Sequence, residues 1–102
     1  MIKVLIRSND NDIYEIVIKG HANYNDYGKD IVCAAVSTMA ITTVNAINSL
    51  DESIDYGENS GLLKIKVLSV TQVNQKLLNN LIIQLEELKS NYPKNIEIRN
   101  EV

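Results

Sequence analysis

A single histidine and a single cysteine lie close together in this chain of 102 residues. His21 is part of Gly20-His21-Ala22, and Cys33 follows twelve residues later, after a polar loop. Nucleophilic attack by a cysteine needs a thiolate and a group that carries its proton, and an imidazole suits the second role. We therefore predict that Cys33 is a nucleophile served by His21, as in a cysteine protease.

The position of Cys33 near the predicted start of a helix strengthens this hypothesis. Asp30 has the residue type of an N-cap, so we predict a helix from there to about Leu50, with Cys33 as its third residue. The unpaired N–H groups and the positive dipole end at that point favour a thiolate. The alternative is structural: cysteine is commonly buried as a small hydrophobe, and a lone loop histidine is usually an ordinary surface residue.

Four neighbouring side chains each have two interpretations. Asp30 either caps the helix, which we favour, or orients the imidazole of His21. Ser37, one turn after Cys33, either hydrogen-bonds near the sulfur or bonds back to the helix backbone. Tyr24 and Tyr27 either line a substrate groove or rest on the domain surface.

Metal and cofactor chemistry find little support in the residue types. Structural zinc takes four side-chain ligands and catalytic zinc takes three, which one cysteine and one histidine cannot supply. Two subunits would have to pool a Cys2His2 set across a twofold axis. Neither a Walker-type loop nor a dinucleotide-binding fingerprint is present. We predict that the protein uses no metal ion and no cofactor.

Composition limits the partners and the location. The formal net charge of −3, with the ten basic residues scattered along the chain, argues against nucleic acid or an anionic membrane as the main partner. One cysteine indicates a reducing compartment, and the apolar run at the start is too short for a signal peptide. Ile31 to Leu50 carries no charge but contains several Ser, Thr and Asn residues, so we predict a soluble, cytoplasmic protein.

Hydrophobic periodicity predicts five strands and two helices. The order is ββαββαβ, which indicates an α/β fold: a two-layer sandwich with one mixed or antiparallel sheet and both helices packed on one face. The uncharged first helix should be buried against the sheet and against another helix or subunit. Ser69 with Gln72 resembles a capping box for the second helix, and Pro93 should end that helix at or before Tyr92. The predicted strands and turns are Ile2–Arg7, the turn Ser8–Asp12, Tyr14–Lys19, a short strand from Ile54, the turn Gly57–Gly61, Leu63–Leu68 and Ile96–Ile98.

Several motifs form a specific combination when they are taken together. They are Gly20-His21-Ala22, Tyr27-Gly28, Asp30-Ile31-Val32-Cys33-Ala34, Ser37 and Val44-Asn45-Ala46-Ile47. This combination resembles the ribosomal-processing cysteine protease family (Prp). The resemblance extends along the whole chain, including the opening hairpin and the long C-terminal helix, and implies one protease domain over residues 1–102.

The resemblance also implies the roles of individual residues. His21 and Cys33 would form the catalytic dyad, with Asp30 and Ser37 as supporting residues. Members of the family remove a short N-terminal extension from large-subunit ribosomal protein twenty-seven, cutting after a hydrophobic, aromatic-rich motif. They act as homodimers, and the loop that contains the histidine gates the site. The residues of that loop that would contact substrate are Gly20, Ala22, Tyr24, Tyr27 and Gly28.

A rival class of function keeps the same fold without the chemistry. A non-catalytic, dimeric, ribosome-associated binding module would need the uncharged helix but no ionised sulfur. The two classes differ in how Cys33 reacts, because a thiolate reacts with iodoacetamide at pH 6 and an ordinary thiol hardly does.

Overall fold

Alternating apolar side chains give this chain five strands, and two longer apolar stripes at helical spacing give it two helices. The computed structural model describes residues 1–20 and 27–101, with only the backbone described for residues 27–30. The element order ββαββαβ confirms the prediction. The elements are β1 (Ile2–Asn9), β2 (Asp12–Lys19), α1 (Tyr27–Leu50), β3 (Ile54–Asn59), β4 (Leu62–Val67), α2 (Gln72–Asn91) and β5 (Ile96–Glu101).

The strands form one mixed sheet in the order β3-β4-β2-β1-β5. The pair β1 and β2 is antiparallel, as predicted, and its two-residue turn places Asp10 at a positive φ of 57°. The strand β5 returns after α2 and pairs with β1 in parallel. Because the hairpin lies in the middle of the sheet, the end of β2 has a strand on each side, and these strands fix the position of Gly20.

Both helices cover one face of the sheet and close the core. The segment Ile31–Leu50 of α1 is long and apolar enough to cross a bilayer by length and composition, and a third of it is buried in the fold. Its buried side chains belong to the same apolar cluster as those of the strands and α2, so α1 packs as a core helix. The largest fully buried side chains are Ile6, Ile16, Ile18, Ile47, Leu63, Ile65, Leu78, Leu81, Leu85, Ile96, Val4 and Val32.

The predicted turn Gly57–Gly61 is shorter in the structure. The strand β3 continues through Gly57 to Asn59, and only Ser60 and Gly61 connect it to β4. Both residues have positive φ, 37° and 81°, which matches the backbone of a two-residue hairpin turn. A tight turn of this kind needs only two residues, so the remaining polar residues pair in the strand.

The capping box of α2 lies two residues later than predicted. Thr71 accepts a hydrogen bond from the Asn74 backbone N–H, and the Asn74 side chain accepts one from the Thr71 backbone N–H. Asn74 also donates to Ser53, which fixes the start of α2 against the chain before β3. The usual capping box has Glu or Gln at the third helical position, where this helix has Asn74, so the sequence pattern favoured Ser69 with Gln72 instead.

Candidate functional site

Cys33 lies in α1 with its side chain turned into the apolar core. The residue is 3% exposed, and its neighbours Val32 and Val36 are fully buried. Its Sγ donates a weak hydrogen bond to the carbonyl oxygen of Gly20, at a distance of 3.9 Å. This contact joins the helix to the last residue before His21, thirteen positions earlier in the chain. The sulfur therefore lies at the end of β2, next to the start of the predicted loop.

Gly20 is held in a conformation that only glycine adopts without strain. Its φ is +83°, and a Cβ at this position would lie 2.8 Å from the carbonyl oxygen of Met1. Its N–H donates to the Gly61 carbonyl at 2.9 Å. Positive φ and the close approach of a second backbone are the two circumstances that require glycine. The carbonyl that faces Cys33 is thus fixed by backbone contacts on both sides.

The helix register contradicts the prediction that Asp30 is the N-cap. α1 begins at Tyr27, so Asp30 is its fourth residue and Cys33 its seventh. The unpaired N–H groups belong to the first four residues of a helix, and the dipole effect falls off within the first turn. Cys33 lies in the second turn, so the helix N-terminus supplies less stabilisation of a thiolate than the sequence predicted.

Several of the predicted site residues lie outside the part of the chain that the structure describes in full. His21, Ala22 and Tyr24 lie outside the described residues. For Tyr27, Gly28 and Asp30 only the backbone, in the first turn of α1, is described. Ser37 lies one turn beyond Cys33 and is half-buried. Of the predicted set, the structure brings Gly20 and Cys33 into contact.

Two backbone contacts at this point were not predicted from the sequence. Met1 packs against Gly20, and Gly61 accepts the Gly20 N–H. Both follow from the order of the strands, which puts the start of β1 and the start of β4 on either side of the end of β2. In the sequence, Gly61 indicated a turn, but nothing indicated that its carbonyl would contact Gly20.

A cavity of about 420 Å³ lies at the other end of β2, beside the β1–β2 turn. It is lined by Ser8, Asn9, Asp10, Asp12, Tyr14 and Val70. Eight residues of strand span roughly 27 Å, so this cavity is separate from Cys33. Among the residues that the structure describes, no group of three or more His, Cys, Asp or Glu side chains could hold a metal ion.

Comparison with known proteins gives matches over nearly the whole chain. A family model described as cysteine protease Prp matches residues 1–97. The ribosomal processing cysteine protease Prp of Staphylococcus aureus strain Mu50 is 32% identical over 103 residues, covering 96% of this chain and 97% of the relative. The protein of the same name from Bacillus subtilis strain 168 is 31% identical over 107 residues, covering 96% of each chain.

Solved structures of related proteins resemble this fold over nearly its whole length. The S. aureus protease Prp in complex with a substrate peptide has a TM-score of 0.89 at 28% sequence identity, covering 99% of this chain and 100% of that chain. The S. aureus protease with a covalently linked product peptide has a TM-score of 0.85 at 31% identity, with the same coverage.

Proposed function

The chain belongs to the family of ribosomal processing cysteine proteases (Prp), and on that premise we propose that Cys33 is its nucleophile and His21 the acid–base partner. As a cysteine protease it is not the non-catalytic binding module considered above. The observation that carries the assignment is the contact of the Cys33 Sγ with the Gly20 carbonyl. The carbonyl carbon of Gly20 is bonded to the backbone nitrogen of His21, and this covalent proximity supports pairing His21 with Cys33.

The reaction that we propose proceeds through a thioester. Cys33 gives its proton to His21 and the thiolate attacks the scissile carbonyl carbon. The tetrahedral intermediate collapses as the His21 imidazolium protonates the departing amine. His21 then removes a proton from water, and the resulting hydroxide hydrolyses the thioester and restores the thiol. A covalent step of this kind agrees with the S. aureus relative, whose structure carries a covalently linked product peptide.

The first turn of α1 supports this chemistry through its backbone. The N–H groups of Tyr27 to Asp30 have no partner within the helix, and we assign them to the oxyanion of the intermediate. Helical side chains lean toward the N-terminus, so the Cys33 sulfur is directed back toward this turn. With Asp30 inside the helix, its proposed role is to orient His21, and Ser37 supports the site from the following turn.

Substrate binding has to expose the sulfur. Cys33 is 3% exposed, whereas attack requires the scissile carbon to approach within about 3.5 Å of the nucleophile. The sulfur is therefore not accessible to a peptide in this conformation of the protein. We propose that the loop residues Gly20, Ala22, Tyr24, Tyr27 and Gly28 contact the peptide and that its binding is coupled to exposure of the sulfur. This step would keep the thiol from reacting with other proteins.

The proposed substrate is the N-terminal extension of large-subunit ribosomal protein twenty-seven, and the proposed location is the cytoplasm. Both rest on the family, whose S. aureus member has been solved with a substrate peptide. No cofactor is required by this chemistry. The test is incubation with the precursor protein and measurement of the intact mass of the product. The wild type should remove the extension.

Four variants make this test specific. Cys33→Ala and His21→Asn should leave the precursor uncut, while Glu86→Gln, at an exposed position of α2, should cut at the wild-type rate. Thermal unfolding of each variant separates loss of chemistry from loss of fold, and Cys33→Ser provides a second inactive variant of similar volume. Undiminished cleavage by Cys33→Ala would refute the assignment of the nucleophile.

We further propose that the protein is a homodimer and that α1 forms the contact. One stripe of this helix is exposed to solvent and carries no charge. Large apolar side chains lie in this stripe and beside it, since Ile41 is 40% exposed and Ile31 is 56% exposed. Such a surface is typical of protein contacts. Light scattering should give the mass of a dimer for the wild type and of a monomer for Ile41→Lys; a monomeric wild type at micromolar concentration contradicts the proposal.

A further inference from the structure

The face of the sheet that carries no helix collects most of the positive charge of the chain. Strand register places its side chains in three rows that cross the sheet in the order β5, β1, β2, β4, β3. Six of the ten Lys and Arg residues lie in these rows. The rows are Glu97, Lys3, Lys19, Leu62 and Asn59; then Arg99, Leu5, Val17, Lys64 and Gly57; then Glu101, Arg7, Glu15, Lys66 and Asp55.

The third row is balanced by its own carboxylates. Charges alternate along it from Glu101 to Asp55, and Arg7 lies between two of the carboxylates. Its guanidinium is 2.6 Å from Glu15 and 3.2 Å from Glu101. This row therefore has no excess of positive charge to offer a partner.

The first two rows are different. Arg99 pairs with Glu97 at 3.1 Å, which leaves Lys3, Lys19 and Lys64 without an ion pair among the described residues. We call these three the lysine patch. All three are exposed, and Lys3 stands directly opposite Lys19 in the β1–β2 register. Like charges facing each other across strands are destabilising unless an anion lies between them.

The patch is concentrated although the chain as a whole is acidic. The formal net charge is −3, yet three uncompensated positive charges lie within two adjacent rows. Neighbouring strands are about 4.8 Å apart and two residues along a strand span about 6.8 Å, so the three stems begin within about 12 Å of each other. The scatter of basic residues in the sequence hides this arrangement, because each strand contributes only one or two of them.

We propose that the lysine patch binds the phosphodiester backbone of single-stranded RNA. Lysine ammonium groups bind phosphate as point charges, and their flexible stems can follow successive nucleotides. The three rows contain no aromatic side chain on which a base could stack, so the contact is to the backbone and independent of sequence. An acidic peptide is the less suitable occupant, because ordinary acidic segments carry carboxylates on only some residues, whereas a nucleic acid carries one charge on every nucleotide.

This RNA contact goes beyond the proposed protease activity and does not depend on it. Lys19 immediately precedes Gly20, so the patch lies at the same end of β2 as Cys33 but on the opposite face of the sheet. RNA on this face would leave the helix face free for a peptide. Protein substrate and nucleic acid could then be held at the same time.

The test is the binding of a fluorescein-labelled 20-nucleotide poly-U strand to the full-length protein, followed by fluorescence anisotropy. Three phosphate contacts on a single strand, at about 0.7 each, predict a slope of about −2.1 for log affinity against log salt. Affinity should therefore fall about 70-fold between 20 and 150 mM NaCl. Cleavage does not enter this readout, so failure of the protease assignment and failure of this proposal are distinguishable.

Charge-matched variants locate the contact. Combining Lys3→Gln, Lys19→Gln and Lys64→Gln should remove most of the binding at 20 mM NaCl and bring the salt slope close to zero. Combining Lys76→Gln, Lys89→Gln and Lys94→Gln makes the same change of charge elsewhere and should keep the slope. Thermal unfolding shows that both proteins are folded.

Several results would overturn the proposal. One is a wild type that shows no salt-dependent binding of poly-U at 20 mM NaCl. Equal losses in the two triple variants would show that only net charge matters. Competition by a 20-residue oligoglutamate, or by anionic phospholipid vesicles, as effective as competition by unlabelled poly-U would assign the patch to a different partner.

Discussion

Replacing Gly20 by alanine should destabilise the fold and disturb the site in one step. An L-residue in the left-handed region costs about 1–2 kcal/mol, and Gly20 has a φ of +83°. The added Cβ would also lie 2.8 Å from the Met1 carbonyl oxygen. The Met1 carbonyl cannot easily move away, because the adjoining Ile2 N–H donates a hydrogen bond to the Asn95 carbonyl oxygen at 2.8 Å. Crowding of this kind costs a further ~1–3 kcal/mol.

Thermal unfolding measures this loss, and Gly57 provides the matched control. A total of about 2–5 kcal/mol corresponds to a fall in Tm of at least ~8 °C for a domain of this size. A Cβ at Gly57 would meet nothing within 4 Å, so Gly57→Ala should change the stability by less than about 1 kcal/mol. Gly20→Ala should also slow peptide cleavage, because the carbonyl that contacts Cys33 has to move. Equal Tm values for the two variants would refute this account of Gly20.

Two further changes test the core and the start of α2. Leu85 is fully buried, so Leu85→Ala should reduce the free energy of unfolding by about 2–5 kcal/mol. The control Ile83→Ala, at a residue that is 61% exposed, should change it by less than about 0.5 kcal/mol. Urea denaturation measures both free energies. Hydrogen bonds from Ser53 and Thr71 lower the pKa of Asp51 below its usual range. Its contribution to stability is therefore present above the pKa of the unfolded chain and is lost as the pH falls through the folded value. Asp51→Asn should lower the Tm at pH 7, and a deficit that stays constant down to pH 2 would contradict the pKa argument.

Much of the fold could be predicted because local pattern and tertiary structure agree. The alternation around Ile16 and Ile65 becomes one face of a mixed sheet, and the stripe through Leu81 becomes the buried face of α2. The element ends were less predictable. Thr71 and Asn74 cap α2 because Ser53 lies beside them in space, which no local pattern reveals.

The site was predicted by residue type more accurately than by local geometry. Gly20 and Cys33 meet, as a shared site requires, but the burial of the sulfur was not foreseen. Burial depends on the packing of α1 against the sheet, and the helix begins three residues before Asp30, the residue whose type we took as the cap. The register places Cys33 in the second turn of α1, beyond the residues whose N–H groups are unpaired. In the mechanism that we propose, activation of the sulfur therefore falls mainly on His21.

This shift in the source of activation gives a prediction that separates the imidazole from the helix. The measurement is the rate of iodoacetamide labelling of Cys33 at pH 8.5 divided by the rate at pH 6, so that exposure of the sulfur, which enters both rates, cancels. A thiol of ordinary pKa, about 8.5, is half ionised at the higher pH and about 0.3% ionised at the lower, which gives a ratio of roughly 160. If His21 takes the proton of Cys33 as we propose, the wild type should give a much lower ratio, because part of the sulfur is then ionised at pH 6. His21→Asn should raise the ratio toward the ordinary value. A wild-type ratio that persists in His21→Asn would mean that the helix alone ionises the sulfur, and the argument from the register of α1 would then be wrong.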